Sequence, residues 1–181
     1  MSYEFSGSID VYGVPENEDA VKKAVNVILN EDYDEDIAFT EEVDFSENRM
    51  EYYGSKTDTD ELSPINYLFH AVTRKIIELY PYCSLYSHRC ITNMGSDMET
   101  VNTIQLQNGK VKRLSVEWTD EWVECSNPDC DGRLVSLGEL EFDREYDCDE
   151  CGHHFSADEM NELISELVEE YTVEQYIEMY K

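Results

Sequence analysis

Four cysteines in two close pairs constrain the fold of this chain more than any other feature of its sequence. Cys125 and Cys130 are separated by four residues, Cys148 and Cys151 by two, and seventeen residues lie between the pairs. Two short loops that each present two thiolates satisfy the tetrahedral coordination of Zn²⁺ without a large hydrophobic core. We therefore predict that these four cysteines bind one Zn²⁺ ion.

The segment around these cysteines resembles a zinc ribbon over about residues 123–155. The resemblance lies in the ligand spacing and in the Cys-Asp-Glu-Cys-Gly sequence that ends the second pair. Glycine follows each pair, at Gly132 and Gly152, where tight metal-binding turns often need a positive φ. Between the pairs, residues 133–137 and 139–146 are expected to form a hairpin around Gly138. A site with four protein ligands has no open position, so the resemblance implies a structural ion.

Other interpretations of these cysteines remain open at this stage. The four thiols could be free or joined in disulfides, and His153 or His154 could replace one cysteine as a ligand. A redox role for the second pair is disfavoured, because the neighbouring acids would raise the pKa values of the thiols. Cys83 and Cys90 are seven residues apart on a predicted strand, so they should face opposite sides of it.

The net charge of −29 is the second strong constraint, and it is distributed unevenly. Residues 1–61 have a net charge of −14, residues 62–116 of +3 and residues 117–181 of −18. Such a surface repels nucleic acid and anionic lipid and attracts basic partners. We expect a basic protein partner, no direct binding of nucleic acid and no membrane association. The alternative is that the charge only keeps the protein in solution.

The location of the protein is expected to be the cytoplasm. The sequence has no run of 18 apolar residues and no basic and apolar leader at its start. Without a secretory signal, six cysteines indicate reduced thiols or metal ligands rather than disulfides.

The first 118 residues are predicted to form an α+β domain with a ferredoxin-like β-α-β-β-α-β order. Alternating apolar residues predict strands at 3–12, 37–45, 50–53 and 82–92, and helical spacing predicts helices at 16–30 and 64–80. In a ferredoxin-like fold an antiparallel sheet has two helices on one face. Strand-like runs on both sides of Asn108-Gly109 predict a hairpin that extends this sheet.

Two smaller segments follow this domain in the predicted organisation: the zinc ribbon at residues 119–155 and C-terminal helices at residues 156–181. Ser156 with Glu159, and Thr172 with Gln175, have the spacing of capping boxes. An amphipathic helix is expected after Ser156 as far as Tyr171, followed by a short last helix.

No motif of an enzyme is evident. The sequence has no glycine-rich phosphate loop, no G-x-S-x-G and no H-E-x-x-H. A pair of catalytic carboxylates among the 42 acidic residues is the alternative, but the sequence does not single one out. We therefore predict no catalytic residues and no enzymatic activity.

The composition and predicted architecture are similar to those of acidic DNA-mimic proteins, the anti-restriction and anti-CRISPR proteins of phages and mobile elements. That resemblance implies an inhibitor that occupies the basic surface of a nucleic-acid-binding partner. The predicted contacts are acidic residues at and after the end of the first helix: Glu31, Asp32, Asp34, Glu35, Asp36, Glu41, Glu42 and Asp44. Their alternative role is a solvated surface.

The alternative function is that of an adaptor. The zinc ribbon and the C-terminal helices would then bind a partner through tyrosine and isoleucine side chains, since tyrosine is enriched at interfaces. The residues in question are Tyr171, Tyr176, Ile177 and Tyr180. The same side chains could instead pack the end of the chain onto its own domain.

Overall fold

The protein has a mixed α+β fold with a large antiparallel sheet. The computed structural model describes residues 3–31, 43–56, 59–93, 98–117 and 121–179, without the side chains at 29–31, 55–56, 59–68 and 98–99. None of the helices within these ranges has the length and apolar composition that a membrane span requires.

The large sheet has seven strands. They are β1 (Tyr3–Tyr12), β2 (Val43–Ser46), β3 (Arg49–Lys56), β4 (Ser84–Asn93), β5 (Met98–Gln107), β6 (Lys110–Glu117) and β11 (Val168–Thr172). Their order across the sheet is β11-β6-β5-β4-β1-β3-β2, and all neighbours are antiparallel. Burial alternates along β1 between the two faces of this sheet: Phe5, Gly7, Ile9 and Val11 are buried on one face, while Ser6, Ser8 and Asp10 on the other are partly exposed.

Helices cover the face of the sheet to which Phe5 and Ile9 contribute. Helix α1 (Ala20–Glu31) and helix α2 (Thr59–Leu79) contact each other, and α4 (Val173–Met179) contacts α2 and β6. Val21, Val72 and Ile76 are fully buried in the shared core. A buried hydrogen bond of 3.0 Å between Thr73 and Ser87 also joins α2 to β4.

Both helices of the N-terminal part start at residues other than those predicted. Helix α1 begins at Ala20 rather than residue 16, because Asp19 accepts a hydrogen bond of 3.0 Å from the backbone N–H of Lys22 and so acts as its N-cap. Helix α2 begins at Thr59, five residues before Pro64. Proline lacks one N–H donor, but a helix can contain it near its start because the residues before it still form the first turn. Pro64 therefore did not identify the first residue of α2.

The Asn108-Gly109 hairpin is confirmed. Asn108 has φ 52° and Gly109 has φ 75°, which are the left-handed conformations of a two-residue hairpin turn. Strands β5 and β6 pair on either side of it, from Gln107 opposite Lys110 outwards. The hairpin extends the sheet as the sequence predicts.

A module built from residues 121–167 packs on the other face of the sheet. Its short strands are β7 (Trp122–Glu124), β8 (Arg133–Ser136), β9 (Tyr146–Asp147) and β10 (His154–Phe155), followed by helix α3 (Ala157–Leu163). Leu114 and Val116 of β6 share a hydrophobic core with its residues Leu140, Phe155 and Met160. At the edge of this contact, Lys112 and Asn161 each contact Oδ1 of Asp143 at 2.9 Å.

The long C-terminal helix was predicted wrongly. The capping box of Ser156 and Glu159 is present, but α3 ends at Leu163, and Val168–Thr172 forms the edge strand β11 on β6. Val168 and Tyr171 are partly buried on opposite sides of the sheet, so a helical pattern of apolar residues also matches an edge strand with one apolar residue packed on each face. The second capping box is confirmed by reciprocal hydrogen bonds between Thr172 and Gln175.

The end of the chain is part of the main core, and this generates a stability prediction. Tyr176 is 1 % exposed and is among the largest fully buried side chains, whereas Tyr82 is 92 % exposed. We expect Tyr176→Ala to lower the free energy of unfolding by about 3–5 kcal/mol, as for other buried aromatic residues. Urea denaturation measures this change, and Tyr82→Ala is the matched control, with a change of less than about 0.5 kcal/mol.

Equal unfolding midpoints for Tyr176→Ala and the unsubstituted chain would contradict the packing of α4 on the main core.

Candidate metal centre

Two tight turns bring the four cysteines together. In the first, the N–H of Cys125 donates to the carbonyl of Gly132 at 2.9 Å, and the N–H of Cys130 donates to the carbonyl of Asn127 at 3.0 Å. In the second, the N–H of Cys148 donates to the carbonyl of His153 at 2.9 Å. Each turn thus closes on its own backbone and presents two sulfur atoms on one side.

The strands beside these turns pair differently from the predicted hairpin. Strand β8 pairs with β7 across the first turn, and β9 pairs with β10 across the second. Residues 137–139, where the hairpin turn around Gly138 was expected, form a single turn of 3₁₀ helix. The prediction failed because each cysteine-bearing turn is itself a hairpin turn, so the strands on either side of each turn pair with each other.

The two turns are fixed to each other by backbone contacts. The N–H of Asp149 donates to the carbonyl of Arg133 at 3.0 Å, and Oδ1 of Asp149 accepts from the N–H of Arg133 at 2.7 Å. This reciprocal pair brings the two halves of the sulfur cluster to a fixed separation. Asp149 is therefore part of the frame of the site, although its side chain is exposed.

The four sulfur atoms have the geometry of a tetrahedral metal site. All four lie within 4.8 Å of one another, with 3.9 Å between Cys125 and Cys151 and 3.6 Å between Cys130 and Cys148. A tetrahedron with metal–sulfur bonds of about 2.3 Å has edges of about 3.8 Å. A disulfide requires about 2.05 Å, so these four cysteines are not paired as disulfides. The cluster is able to hold a metal ion.

The two glycines have different roles. Gly152 has φ 67°, as predicted for a tight turn. Gly132 is not in the left-handed region; its importance is steric, since a Cβ there would lie 2.5 Å from Sγ of Cys148 and 2.8 Å from Cβ of Glu150. A larger residue at position 132 would push the two turns apart.

Hydrogen bonds to sulfur and desolvation give Cys148 and Cys130 different pKa values. The backbone N–H of Cys151 is the main cause that lowers the pKa of Cys148 to about 7. The N–H of Gly132 donates to Sγ of Cys130 at 3.3 Å, but desolvation and the neighbouring sulfurs outweigh it and raise the pKa of Cys130 to about 12. Cys148 therefore becomes a thiolate more readily than Cys130, and binding of a metal at the cluster releases the proton of Cys130.

The nearby histidines are not part of the cluster. The ring of His154 contacts Oδ1 of Asp147 through Nδ1 at 2.7 Å, which is the main cause of its raised pKa, and the ring of His153 packs edge-on against Phe155 at 4.7 Å. The four-cysteine group is the one that the geometry selects, within the part of the chain that the structure describes.

The other two cysteines do not share a strand as predicted, because Cys83 lies in the bend before β4 and Cys90 lies on β4. Cys83 is buried in the main core, and burial raises the pKa of its thiol to about 11. Sγ of Cys90 lies 3.8 Å from Oγ1 of Thr92 on the opposite face. Neither lies in the metal cluster.

Most of the predicted partner-binding residues lie outside the described residues. This applies to Asp32, Asp34, Glu35, Asp36, Glu41 and Glu42. Glu31 is the last residue of α1, and its side chain is not described. Asp44 is exposed on β2, on the face of the sheet opposite the helices.

Two surface features were not singled out from the sequence. The first is the exposure of every acidic side chain in residues 121–151, a set that comprises Glu121, Glu124, Asp129, Asp131, Glu139, Glu141, Asp143, Glu145, Asp147, Asp149 and Glu150. The second is a groove on the sheet beside Asp44. The alternating polar residues Ser6, Ser8 and Asp10 of β1 indicated a polar face of the sheet. They could not indicate which residues of β3 and β4 lie beside them, because that register is set by tertiary structure.

Comparison with protein families, with curated proteins and with solved structures finds no match to this chain. The interpretation of the site therefore depends on its own geometry.

The geometry predicts that Cys148→Ser lowers metal content. The full chain, purified without chelator, should contain one equivalent of metal, and the variant should contain much less, because a hydroxyl is a poor substitute for a thiolate. Elemental analysis by mass spectrometry measures this, and Cys90→Ser is the matched control that should retain the metal. Absence of metal from the unsubstituted chain would contradict the assignment.

A second prediction concerns Gly132. Gly132→Ala should weaken metal binding and lower the melting temperature of the module, because the added Cβ overlaps Sγ of Cys148. Gly152→Ala has open space around its Cβ, so it should retain the metal and lose only about 1–2 kcal/mol through the left-handed backbone. Competition with a coloured chelator compares the two variants, and equal metal affinity would show that the steric argument is wrong.

Proposed function

We propose that the cluster binds one structural Zn²⁺ ion and that residues 123–155 are a zinc ribbon. Four thiolates at tetrahedral separations suit Zn²⁺, and the set fills its coordination sphere. Two pairs of strands, each closed by a metal-binding turn, support the ribbon assignment. The ion would contribute rigidity rather than chemistry, because no coordination position remains for water or substrate.

We also propose that the first 118 residues belong to the ferredoxin-like class. The elements β1, α1, β2, β3, α2 and β4 follow one another in that order, and β4, β1, β3 and β2 are neighbours in the sheet. Strands β5 and β6 then extend the sheet on the side of β4.

For the whole chain, we propose a non-enzymatic inhibitor in the cytoplasm that occupies the basic surface of a nucleic-acid-binding protein. The observation that carries this proposal is in the module: residues 121–151 contain the four-cysteine cluster, eleven exposed carboxylates and two basic residues. Duplex DNA presents one negative charge per about 1.7 Å of its axis. A Zn²⁺ ion that joins the two cysteine-bearing turns would hold the nearby carboxylates at fixed spacings, as the backbone of a duplex holds its phosphates.

Electrostatic attraction explains what such a surface would do to a partner. A set of fixed negative charges accelerates association with a basic surface and sets its specificity, although each carboxylate contributes little alone. A partner held in this way cannot bind DNA or RNA through the same surface. The class of protein that this supports is an anti-defence protein of a phage or mobile element.

The adaptor alternative is weakened by the burial of its contact residues. Tyr176 is in the main core, and Tyr171 and Ile177 pack against it. Tyr180 lies outside the described residues. A partner would have to displace α4 from its own domain to reach Tyr176.

Competition with nucleic acid tests the proposed function. The immobilised chain should capture a basic protein from a host lysate at about 0.15 M salt and release it as the salt rises, because exposed charges are screened. A 20-base-pair duplex should displace that protein, and the chain itself should not shift a labelled duplex. Formation of a ternary complex of chain, captured protein and duplex would contradict mimicry.

Cys148→Ser provides a control for rigidity. It retains every carboxylate but should disorder the metal-binding turns, since folding and metal binding are coupled in small zinc modules. We expect it to capture the partner more weakly. Equal capture would show that the fixed spacing of the carboxylates is not needed.

A further inference from the structure

Among the residues that the structure describes, those that pack on the face of the sheet opposite the helices cover only part of its width. The module packs on Leu114 and Val116 of β6, whereas a groove of about 470 Å³ lies over β1, β2 and β3. Its lining residues come from four strands: Ser6, Gly7, Ser8, Asp44, Glu51, Tyr52, Tyr53 and His88. We refer to these residues as the sheet groove.

The floor of the sheet groove is made of small residues, so another chain can approach the backbone of the sheet. Ser6 and Ser8 point into it, and Gly7 lies between them. Glycine is required there for packing on the other face, since a Cβ at Gly7 would lie 2.8 Å from the ring of Phe69. Phe69 of α2 therefore packs directly against the backbone of β1 on the side of the sheet opposite the groove.

Two carboxylates in the sheet groove lie directly opposite each other. Asp44 on β2 pairs with Glu51 on β3, and the same row continues through Ser8 to His88. Like charges that face each other across two strands destabilise a sheet. Arg49 offsets part of this cost, because its guanidinium contacts both Glu51 and Asp10. The arrangement favours a further cation above Asp44 and Glu51.

An exposed tyrosine completes the chemistry for a guanidinium group. Tyr53 is 69 % exposed and lies opposite Ser6, one row along from the two carboxylates. A guanidinium group stacks on an aromatic ring and binds a carboxylate through two N–H groups at once, which an ammonium group does not. Burial lowers the pKa of His88, so the ring is neutral at physiological pH and does not repel a cation.

We propose that the sheet groove binds an extended, arginine-rich segment of the basic partner protein. This inference rests on the proposed function, because it names a second surface of this chain, besides the carboxylates of the module, for the same basic partner. Charge decides the occupant. A second copy of a chain with net charge −29 would be repelled, as would nucleic acid, whereas arginine side chains match Asp44, Glu51 and Tyr53.

Short basic peptides test this proposal on the full chain. Fluorescence anisotropy at about 0.15 M salt would measure binding of a labelled penta-arginine peptide and of penta-lysine, which carries the same charge. We expect penta-arginine to bind about five times more tightly than penta-lysine, because only arginine stacks and binds in the bidentate mode. Equal affinities would overturn the proposal.

Two matched pairs of variants locate the binding site. Asp44→Asn with Glu51→Gln should weaken penta-arginine binding by about tenfold or more, whereas Glu162→Gln with Glu166→Gln, which removes two exposed charges elsewhere, should change it less than about twofold. Likewise, Tyr53→Ala should weaken binding about fivefold and Tyr82→Ala should not.

The outcomes of these experiments distinguish failure of the groove proposal from failure of the proposed function. Equal losses in both charge variants would overturn the groove but leave a diffuse acidic surface that still binds basic proteins. No binding of penta-arginine to the unsubstituted chain would contradict both. Thermal melting gives an independent check on folding, since Asp44→Asn removes a like-charge contact and should leave the melting temperature equal or higher.

Discussion

The convergence of four sulfur atoms is the constraint that joins the two turns of the C-terminal part. The strands of the module are two to four residues long, and its core is shared with Leu114 and Val116 of β6. The eleven exposed carboxylates of residues 121–151 repel one another, and Arg133 and Arg144 are the basic residues of that segment. A tetrahedral ion that links Cys125, Cys130, Cys148 and Cys151 would oppose this repulsion directly, because it joins the two turns at their closest point.

The two faces of the large sheet have different neighbours. One face is covered by α1, α2 and α4, so it supplies the main hydrophobic core. The other face is shared between the module, which covers β6, and the sheet groove, which lies over β1, β2 and β3. Asp143 connects the module to the sheet through Lys112. This ion pair and the hydrophobic core shared with β6 together fix the position of the module on the sheet. The exposed carboxylates of the module are thus carried by a segment that packs on the sheet.

Sequence patterns predicted the features that depend on local chemistry. The cysteine spacing, the Asn108-Gly109 turn and the two capping boxes each need only a few neighbouring residues, and all are present. The pattern did not predict β11, because Val168–Thr172 becomes a strand only where β6 offers an edge. It also missed the groove, because Asp44, Glu51, Ser8 and His88 share one row only in the register that the four strands adopt. The register between strands that are distant in the sequence is a tertiary property that no local signal encodes.

The central claim is that the four cysteines bind one metal ion at the centre of the module. Anomalous diffraction from crystals of the full chain, purified without chelator and measured on both sides of the zinc absorption edge, tests it most directly. The account predicts a single anomalous peak about 2.3 Å from each of the four sulfur atoms. Electron density for a disulfide between any two of these cysteines, or no anomalous peak among them, would contradict it.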